Sequence, residues 1–257
     1  MSVYCCSDIH GCMWAWEAIK NFLKPEDKLY FLGDAADRGN DGWQIMKELL
    51  ADPRVIYIKG NHEDLLLDAV GNCRPETFNA DDFHWDNAMN TWFLNGGEPT
   101  YNAYLKDTER FTVIQQLKNL PFIICYHNTN DEDVYLTHAG CNAHDINDLT
   151  EEEATWDRHH YLINRWDGSY NEVIVHGHTP IPLMVEQQQN IVAAYYSNDY
   201  IPSDGTDDMI EPGAYWYAGG HKVNIDCGCV FTDTIVLLNL DTWDEEIFFA
   251  EDDNGKK

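Results

Sequence analysis

Over residues 1–70, short apolar runs alternate with longer stretches whose apolar residues recur every three or four positions. The run Val3–Cys6, the stretch from Lys28 to Leu32, and Val55–Ile58 have the length and continuity of buried strands. Between them, Met13–Leu23 sets Ala15, Ala18, Ile19, Phe22 and Leu23 on one helical face, and Pro25 stops it. Trp43–Ala51 repeats the pattern with Ile45, Met46, Leu49 and Leu50 up to Pro53, and His62–Val70 opens a third helix. This β-α-β-α-β order predicts an α/β fold with a largely parallel sheet.

The alternation stops at Gly71. Residues 71–120 are expected to form a helical insert, with Trp85, Met89, Trp92, Phe93 and Leu94 on one face and a turn at Asn95–Thr100. Whether the insert lies beside a functional site or only covers the sheet is open at this point. Strands resume at Phe122–Tyr126 and Val134–Thr137. Thr150-Glu151-Glu152-Glu153 is a capping box that predicts a helix running through Arg158. Val173–Val175 is a strand that leads into His176-Gly177-His178. Residues 180–222, rich in Tyr, Gly and Asp, are expected to form hairpins or an excursion over the site. Val223–Asp226, Thr234–Leu240 and Glu245–Phe249 close a second sheet. The expected organisation is one domain over 1–250 and a frayed polar tail at 251–257.

Three strand ends carry the candidate chemistry. Asp8-Ile9-His10-Gly11, Gly33-Asp34-Ala35-Ala36-Asp37-Arg38-Gly39 and Gly60-Asn61-His62-Glu63 each place oxygen or imidazole groups directly after an apolar run. Charges at buried strand ends are costly unless compensated, and bound metal ions are the compensation expected here. The carboxyl edge of an open α/β sheet is also where such folds bind ligands.

The whole-chain charge narrows the partners. A net charge of −29 disfavours nonspecific nucleic-acid binding. It would also repel a phosphorylated substrate unless the site itself is locally positive. The eight cysteines lack zinc-site spacing and read as small buried residues or idle thiols of a reducing compartment. With no membrane-length apolar run and no signal-peptide pattern at the start, a cytoplasmic protein without membrane contact is expected.

The ordered motifs resemble the phosphoprotein phosphatase (PPP) family within the metallophosphoesterase superfamily, in its bacterial and phage branch. The likeness continues through His138-Ala139-Gly140, Trp156-Asp157-Arg158, Gly177-His178 and Asn224-Ile225-Asp226-Cys227-Gly228. Asn95-Gly96-Gly97-Glu98 with Thr100 also fits that branch. The resemblance implies a calcineurin-like fold: two mixed β-sheets packed as a sandwich, flanked by helices and carrying a helical insert.

It further implies two divalent metal ions, with Mn²⁺ favoured and Fe or Zn²⁺ as alternatives. Asp8 and His10, two apart on an extended backbone, would point to one side and hold the first ion with Asp34. Asp34 would bridge to a second ion held by Asn61, His138 and His178. A shared water, made acidic by the ions, would attack phosphorus. His62 is the expected general acid, oriented by Asp37. Arg38 and Arg158 are the expected phosphate clamps, with Arg165 competing for the place of Arg158.

The remaining histidines divide. His84, His127, His144, His159, His160 and His221 are expected to be ordinary core or surface residues, whereas His176 is a candidate support behind His178. Glu63 is expected to support the site, and Asp226 to shape its loop. The expected reaction is hydrolysis of phosphoserine and phosphothreonine in proteins. A dinucleoside polyphosphate hydrolase is the alternative, and an inactive metal-binding scaffold a further one. Proline at 180, in Gly177-His178-Thr179-Pro180, argues against a nuclease-like phosphodiesterase.

Overall fold

The computed structural model describes residues 1–71, 83–142, 144, 146–162, 166–195 and 211–250, except for the side chains of 83–86 and 189–195. The first sheet contains β1 (Val3–Cys6), β2 (Lys28–Phe31), β3 (Val55–Tyr57), β9 (Thr234–Asn239) and β10 (Glu245–Phe249), in the order β10-β9-β1-β2-β3. β1, β2 and β3 run parallel, with Val3 opposite Lys28 and Leu29 opposite Val55. The crossovers are α1 (Met13–Phe22) and α2 (Gly42–Ala51), as the helical periodicity predicts.

The second sheet contains β4 (Ile123–His127), β5 (Asp133–Thr137), β6 (Glu172–His176), β7 (Tyr215–Tyr217) and β8 (Lys222–Asn224), ordered β4-β5-β6-β8-β7. Here β5, β6 and β8 are the parallel core. The pleat of each strand decides how the layers meet. In β1, Val3 and Cys5 face the second sheet, where they join Leu136, Val173, Val175 and Val223. Cys6 faces the other way, with Phe31 and Leu29, into a core made by Trp16, Ile45, Met46 and Leu66 of the helices. The result is the sandwich flanked by helices that the family resemblance implies.

The stretch after Gly71 supplies α4 (Phe83–Leu94), α5 (Glu98–Lys106) and α6 (Arg110–Leu117), following α3 (Asn61–Val70). Two expectations are corrected. The helix opened by Thr150 is α7 (Glu151–Trp156), which stops before Arg158. Asp157 ends it by turning its carboxylate onto the N–H groups of His159 (3.0 Å) and His160 (3.1 Å), a local alternative to the helical ladder. Residues 180–222 are not all hairpin: Ile181–Tyr195 forms α8, with Pro182 in the first turn where proline is tolerated. The β7–β8 hairpin follows. Residues 196–210 and the expected tail at 251–257 lie outside the described residues.

The Asp107 carboxylate is the more buried of two that fasten the α5–α6 connection onto α2, Glu109 being the other. Asp107 Oδ2 accepts from Lys47 Nζ (2.6 Å) and Trp43 Nε1 (2.9 Å). The Lys47 and Trp43 bonds lower its pKa to about 2. A depressed folded-state pKa gives stability that is full above the unfolded value and lost as pH falls through the folded one. Asp107→Asn is therefore expected to lower stability at pH 7 by about 1 kcal/mol, the modest size of a solvent-edged pair. In urea melts, the gap between variant and parent should narrow as pH falls below about 4 and close near the folded-state pKa.

Candidate metal centre

The strand ends of the two sheets come together at one edge. Asp8 and His10 follow β1, Asp34 to Arg38 follow β2, and Asn61 and His62 open α3 after β3. His138 follows β5 and His178 follows β6. Bonds between the sheets fix their meeting: His138 Nδ1 donates to the Leu32 carbonyl (2.7 Å), and the His178 N–H donates to Asp8 Oδ2 (3.0 Å). Gly33 permits the closest approach. At φ +93° it lies where an added Cβ would stand 2.6 Å from the Gly60 backbone.

The backbone here is not extended, contrary to the expectation for Asp8 and His10. Asp8, His10, Asp34, Asp37, Arg38 and His178 all have φ between +47° and +70°. That region is unfavourable for residues with a Cβ, by about 1–2 kcal/mol each. The loop after β2 is held there by Glu63, whose carboxylate accepts the N–H groups of Asp34 (2.8 Å), Ala35 (3.0 Å) and Gly60 (2.9 Å) and the Tyr57 hydroxyl (2.8 Å). Turned back in this way, Asp8 Oδ1 and His10 Nε2 still lie 3.9 Å apart.

Asp34 is central, and its two oxygens face different partners. Oδ2 is 3.5 Å from His10 Nε2 and 3.9 Å from His62 Nε2, whereas Oδ1 is 3.4 Å from His138 Nε2. On that second side, Asn61 Oδ1 lies 2.9 Å from His138 Nε2 and 2.8 Å from His178 Nδ1. Two triads have ligand atoms within 4.8 Å of one another: His10, Asp34 and His62; and Asp34, His138 and His178. His10 Nδ1 donates to the Ala36 carbonyl (3.0 Å), which leaves its Nε2 lone pair inward.

His62 is built differently from the other imidazoles. Its Nδ1 donates to Asp37 Oδ2 at 2.7 Å, and the same oxygen accepts from Trp92 Nε1 of α4 at 2.8 Å. The Asp37 backbone N–H in turn donates to Thr100 Oγ1 of α5 at 2.9 Å. The insert therefore touches the site, the first of the two placements left open by the sequence. Arg38 Nη1 donates to His10 Nε2 (2.6 Å), and its Nη2 lies 3.1 Å from His62 Nε2. Across the mouth, Arg158 Nε donates to His178 Nε2 at 3.0 Å. Arg165 lies outside the described residues.

The electrostatics call for a cation. Burial raises the pKa of Asp8, and Asp34 adds to that; burial also raises Asp226, with Asp8 adding. Burial opposes charge on Asp34 too, but His138, His62 and His10 hold it well below the usual carboxylate range. His10 and His178 are pushed down, mainly by burial, which favours their neutral forms. Burial works against a charge on His138, yet Asp34 and Asp8 lift it to about 10. Asp8 Oδ1 is buried and accepts no hydrogen bond. An orphaned carboxylate oxygen, neutral imidazoles and a shared Asp34 make a donor set that fits divalent transition metals.

Other candidates fall out as follows. His176 faces away from the metal pocket: Nδ1 is 3.0 Å from the Gly177 carbonyl and Nε2 is 2.9 Å from the Tyr217 hydroxyl. Asp226 shapes its loop, accepting the Gly228 N–H at 2.8 Å. His160 is buried against His176 and Tyr217 rather than on the surface. The contacts of Trp92 and Thr100 with Asp37 were not read from sequence, although both lie in or next to the Asn95–Thr100 motif.

Residues 1–224 match the family described as calcineurin-like phosphoesterase. The chain belongs to that family. Its members use a dinuclear metal centre, and the two triads around Asp34 are possible ligand groups for one. Among relatives of this calcineurin-like phosphoesterase is serine/threonine-protein phosphatase 2 of Salmonella typhimurium, 32% identical over 126 residues, or 48% of this chain and 51% of that one. The symmetrical bis(5'-nucleosyl)-tetraphosphatase of Acidovorax sp. is 38% identical over 80 residues, covering 29% of this chain and 28% of that one. The chain thus spans about half or less of the length of these relatives. A provisionally assigned diadenosine tetraphosphatase shares the fold, with a TM-score of 0.61 at 18% identity, over 97% of this chain and 94% of that one. No helix among the described residues is long and apolar enough to cross a membrane.

Proposed function

We propose that this calcineurin-like phosphoesterase is a phosphomonoesterase that hydrolyses phosphoserine and phosphothreonine in proteins. The observation that carries the reading is the arrangement around Asp34. Its two oxygens serve two separate imidazole groups, with a His62–Asp37 pair and two guanidinium groups at the mouth. Asp8, His10 and Asp34 would hold one ion, and Asp34, Asn61, His138 and His178 the other, with Mn²⁺ favoured over Fe or Zn²⁺. When bound, the pair supplies Lewis-acid polarisation of the phosphoryl oxygens and a water acidic enough to ionise near neutral pH.

The chain's own groups supply the rest. Arg38 and Arg158 hold two phosphoryl oxygens from opposite sides through paired donors. His62 gives its Nε2 proton to the departing serine or threonine oxygen, while Asp37 fixes the ring by its bond to Nδ1. His62 also belongs to one of the metal-ligand triads. We assign it to proton transfer because Asp37 occupies one ring nitrogen and Arg38 faces the other. Burial opposes charge on His62, but Asp34 and Asp37 raise its pKa above the ordinary histidine value, which favours the protonated form an acid needs. We further propose a cytoplasmic location, with no nucleic-acid or membrane partner.

A second reading, hydrolysis of dinucleoside polyphosphates, draws on the tetraphosphatase relative. The net charge of −29 weighs against it, since a longer polyanion meets more of the acidic surface. The deciding assay compares a phosphothreonine peptide with diadenosine tetraphosphate at equal Mn²⁺. A higher kcat/KM on the peptide is expected. A higher value on diadenosine tetraphosphate would transfer the assignment to the second reading, and no turnover of any phosphoester with Mn²⁺, Fe²⁺ or Zn²⁺ would leave a scaffold.

A further inference from the structure

One large apolar side chain beside the site has no partner in the chemistry above. Phe231 is 71% exposed. Its helix, α9 (Cys229–Thr232), is firmly seated. Cys229 is buried, its thiol is hydrogen-bonded with that of Cys12 in the β1–α1 loop, and Thr232 Oγ1 donates to the Cys227 carbonyl at 2.9 Å. The ring is therefore held out to solvent by a fixed backbone.

Its place relative to the reacting groups gives it a use. The Arg38 guanidinium carbon lies 5.7 Å from the Phe231 ring centroid, and Arg38 also reaches His62 Nε2. His62 is the proposed donor to the leaving group, so Phe231 borders the side from which the leaving group departs. The same rim is acidic. Asp41 and Asp233 are both exposed, and their backbones sit beside the Cys12–Cys229 contact: the Asp41 N–H donates to the Gly11 carbonyl (3.2 Å) and the Asp233 N–H to the Cys229 carbonyl (3.0 Å). In the loops 8–12, 34–42 and 226–233, Arg38 is the sole Lys or Arg. Just beyond, α4 ends on Leu94, 88% exposed, two residues before Gly96, whose carbonyl accepts the Arg38 N–H at 2.9 Å.

We propose that Phe231, Asp41 and Asp233 form a specificity subsite for the residues flanking the phosphorylated one, selecting an apolar side chain paired with a basic one. This rests on the phosphoprotein reading above. The apolar side chain lies on the open face of Phe231, and the basic one answers the two carboxylates. Further phosphates extending past Arg38 would meet those carboxylates and be repelled.

Three phosphothreonine peptides test this. The first carries Leu and Lys on both sides of the phosphothreonine, the second has Gly for Leu, and the third has Glu for Lys. The parent enzyme is expected to lose about tenfold in KM on the second peptide and about threefold on the third, with kcat nearly constant. Phe231→Ala should abolish the Leu preference and retain the Lys preference, and Phe231→Trp should restore the former. Asp41→Asn with Asp233→Asn should do the converse. Asparagine tolerates the left-handed backbone at Asp233 (φ +53°), and the Asp41 side chain makes no helix-capping bond. A shared effect through Arg38 cancels because each test is a ratio between peptides. Equal turnover of all three peptides by the parent, or preferences unchanged in the variants, would overturn the subsite alone. Hydrolysis of p-nitrophenyl phosphate without hydrolysis of any peptide would overturn the phosphoprotein reading and the subsite together.

Discussion

His62→Asn is expected to lower kcat on a phosphothreonine peptide by about 10²–10⁴-fold, the usual contribution of a positioned general acid, while metal content stays that of the parent. The reasoning starts from the leaving group. A serine or threonine alkoxide is a strong base, so a proton must reach it as the P–O bond breaks. The His62 imidazole is built for that delivery. Asp37 Oδ2 lies 2.7 Å from Nδ1, and Trp92 holds the same carboxylate oxygen at 2.8 Å. The substitution leaves the backbone anchor in place, because it is the His62 N–H that donates to Asp34 Oδ1 at 2.9 Å.

A phenolate is a much weaker base, so p-nitrophenyl phosphate should suffer a distinctly smaller loss than the alkyl ester. Steady-state kinetics on both esters, with metal counted by elemental analysis, separates this from a ligand role. An unchanged alkyl-ester kcat would remove His62 as the acid. Loss of one ion per chain would instead make it the ligand that the His10–Asp34–His62 grouping also allows.

Much of this site was legible because its residues directly follow buried runs. Leu29–Leu32 and the charges from Asp34 to Arg38 can be read together only as a strand that ends in a site, and the same holds for Val55–Ile58 and Asn61. Backbone conformation was not legible. Nothing in Asp8-Ile9-His10 announces left-handed dihedrals, because they are imposed by the 33–39 loop, distant in sequence: the Asp8 and His10 N–H groups donate to the Gly33 and Asp34 carbonyls, and Gly39 packs against the His10 carbonyl. The helix α8 was hidden by averaging. Ile181–Ala194 has helical composition, but the Tyr- and Gly-rich stretch that follows dominated the reading of 180–222. Arg158 was assigned to a helix because a capping box marks a start and says nothing of the stop, which Asp157 supplies through its own side chain.

The second large effect concerns Asp34. Asp34→Asn is expected to remove metal and activity together, by more than the roughly 10–100-fold loss typical of groups that only support a ligand. Asparagine keeps one acceptor oxygen, so the bond from the His62 N–H can survive and the loop is expected to fold. What disappears is the negative charge and the second of the two oxygens proposed to ligate metal. In the parent, Oδ2 faces His10 at 3.5 Å and Oδ1 faces His138 at 3.4 Å, so one residue serves both sides of the centre. The charge also lifts the His138 pKa to about 10, against its burial. Without it, His138 keeps only Asp8 and the Leu32 carbonyl to oppose its burial.

Thermal melts with and without Mn²⁺ give a readout independent of turnover. A ligand present at one hundred times its Kd stabilises the folded state by about 2.7 kcal/mol, so the parent melt should rise with Mn²⁺ and that of Asp34→Asn should not. If the variant bound two ions per chain and kept the parent's melting response, Asp34 could not be the bridge, and the two imidazole groups would have to act as separate sites.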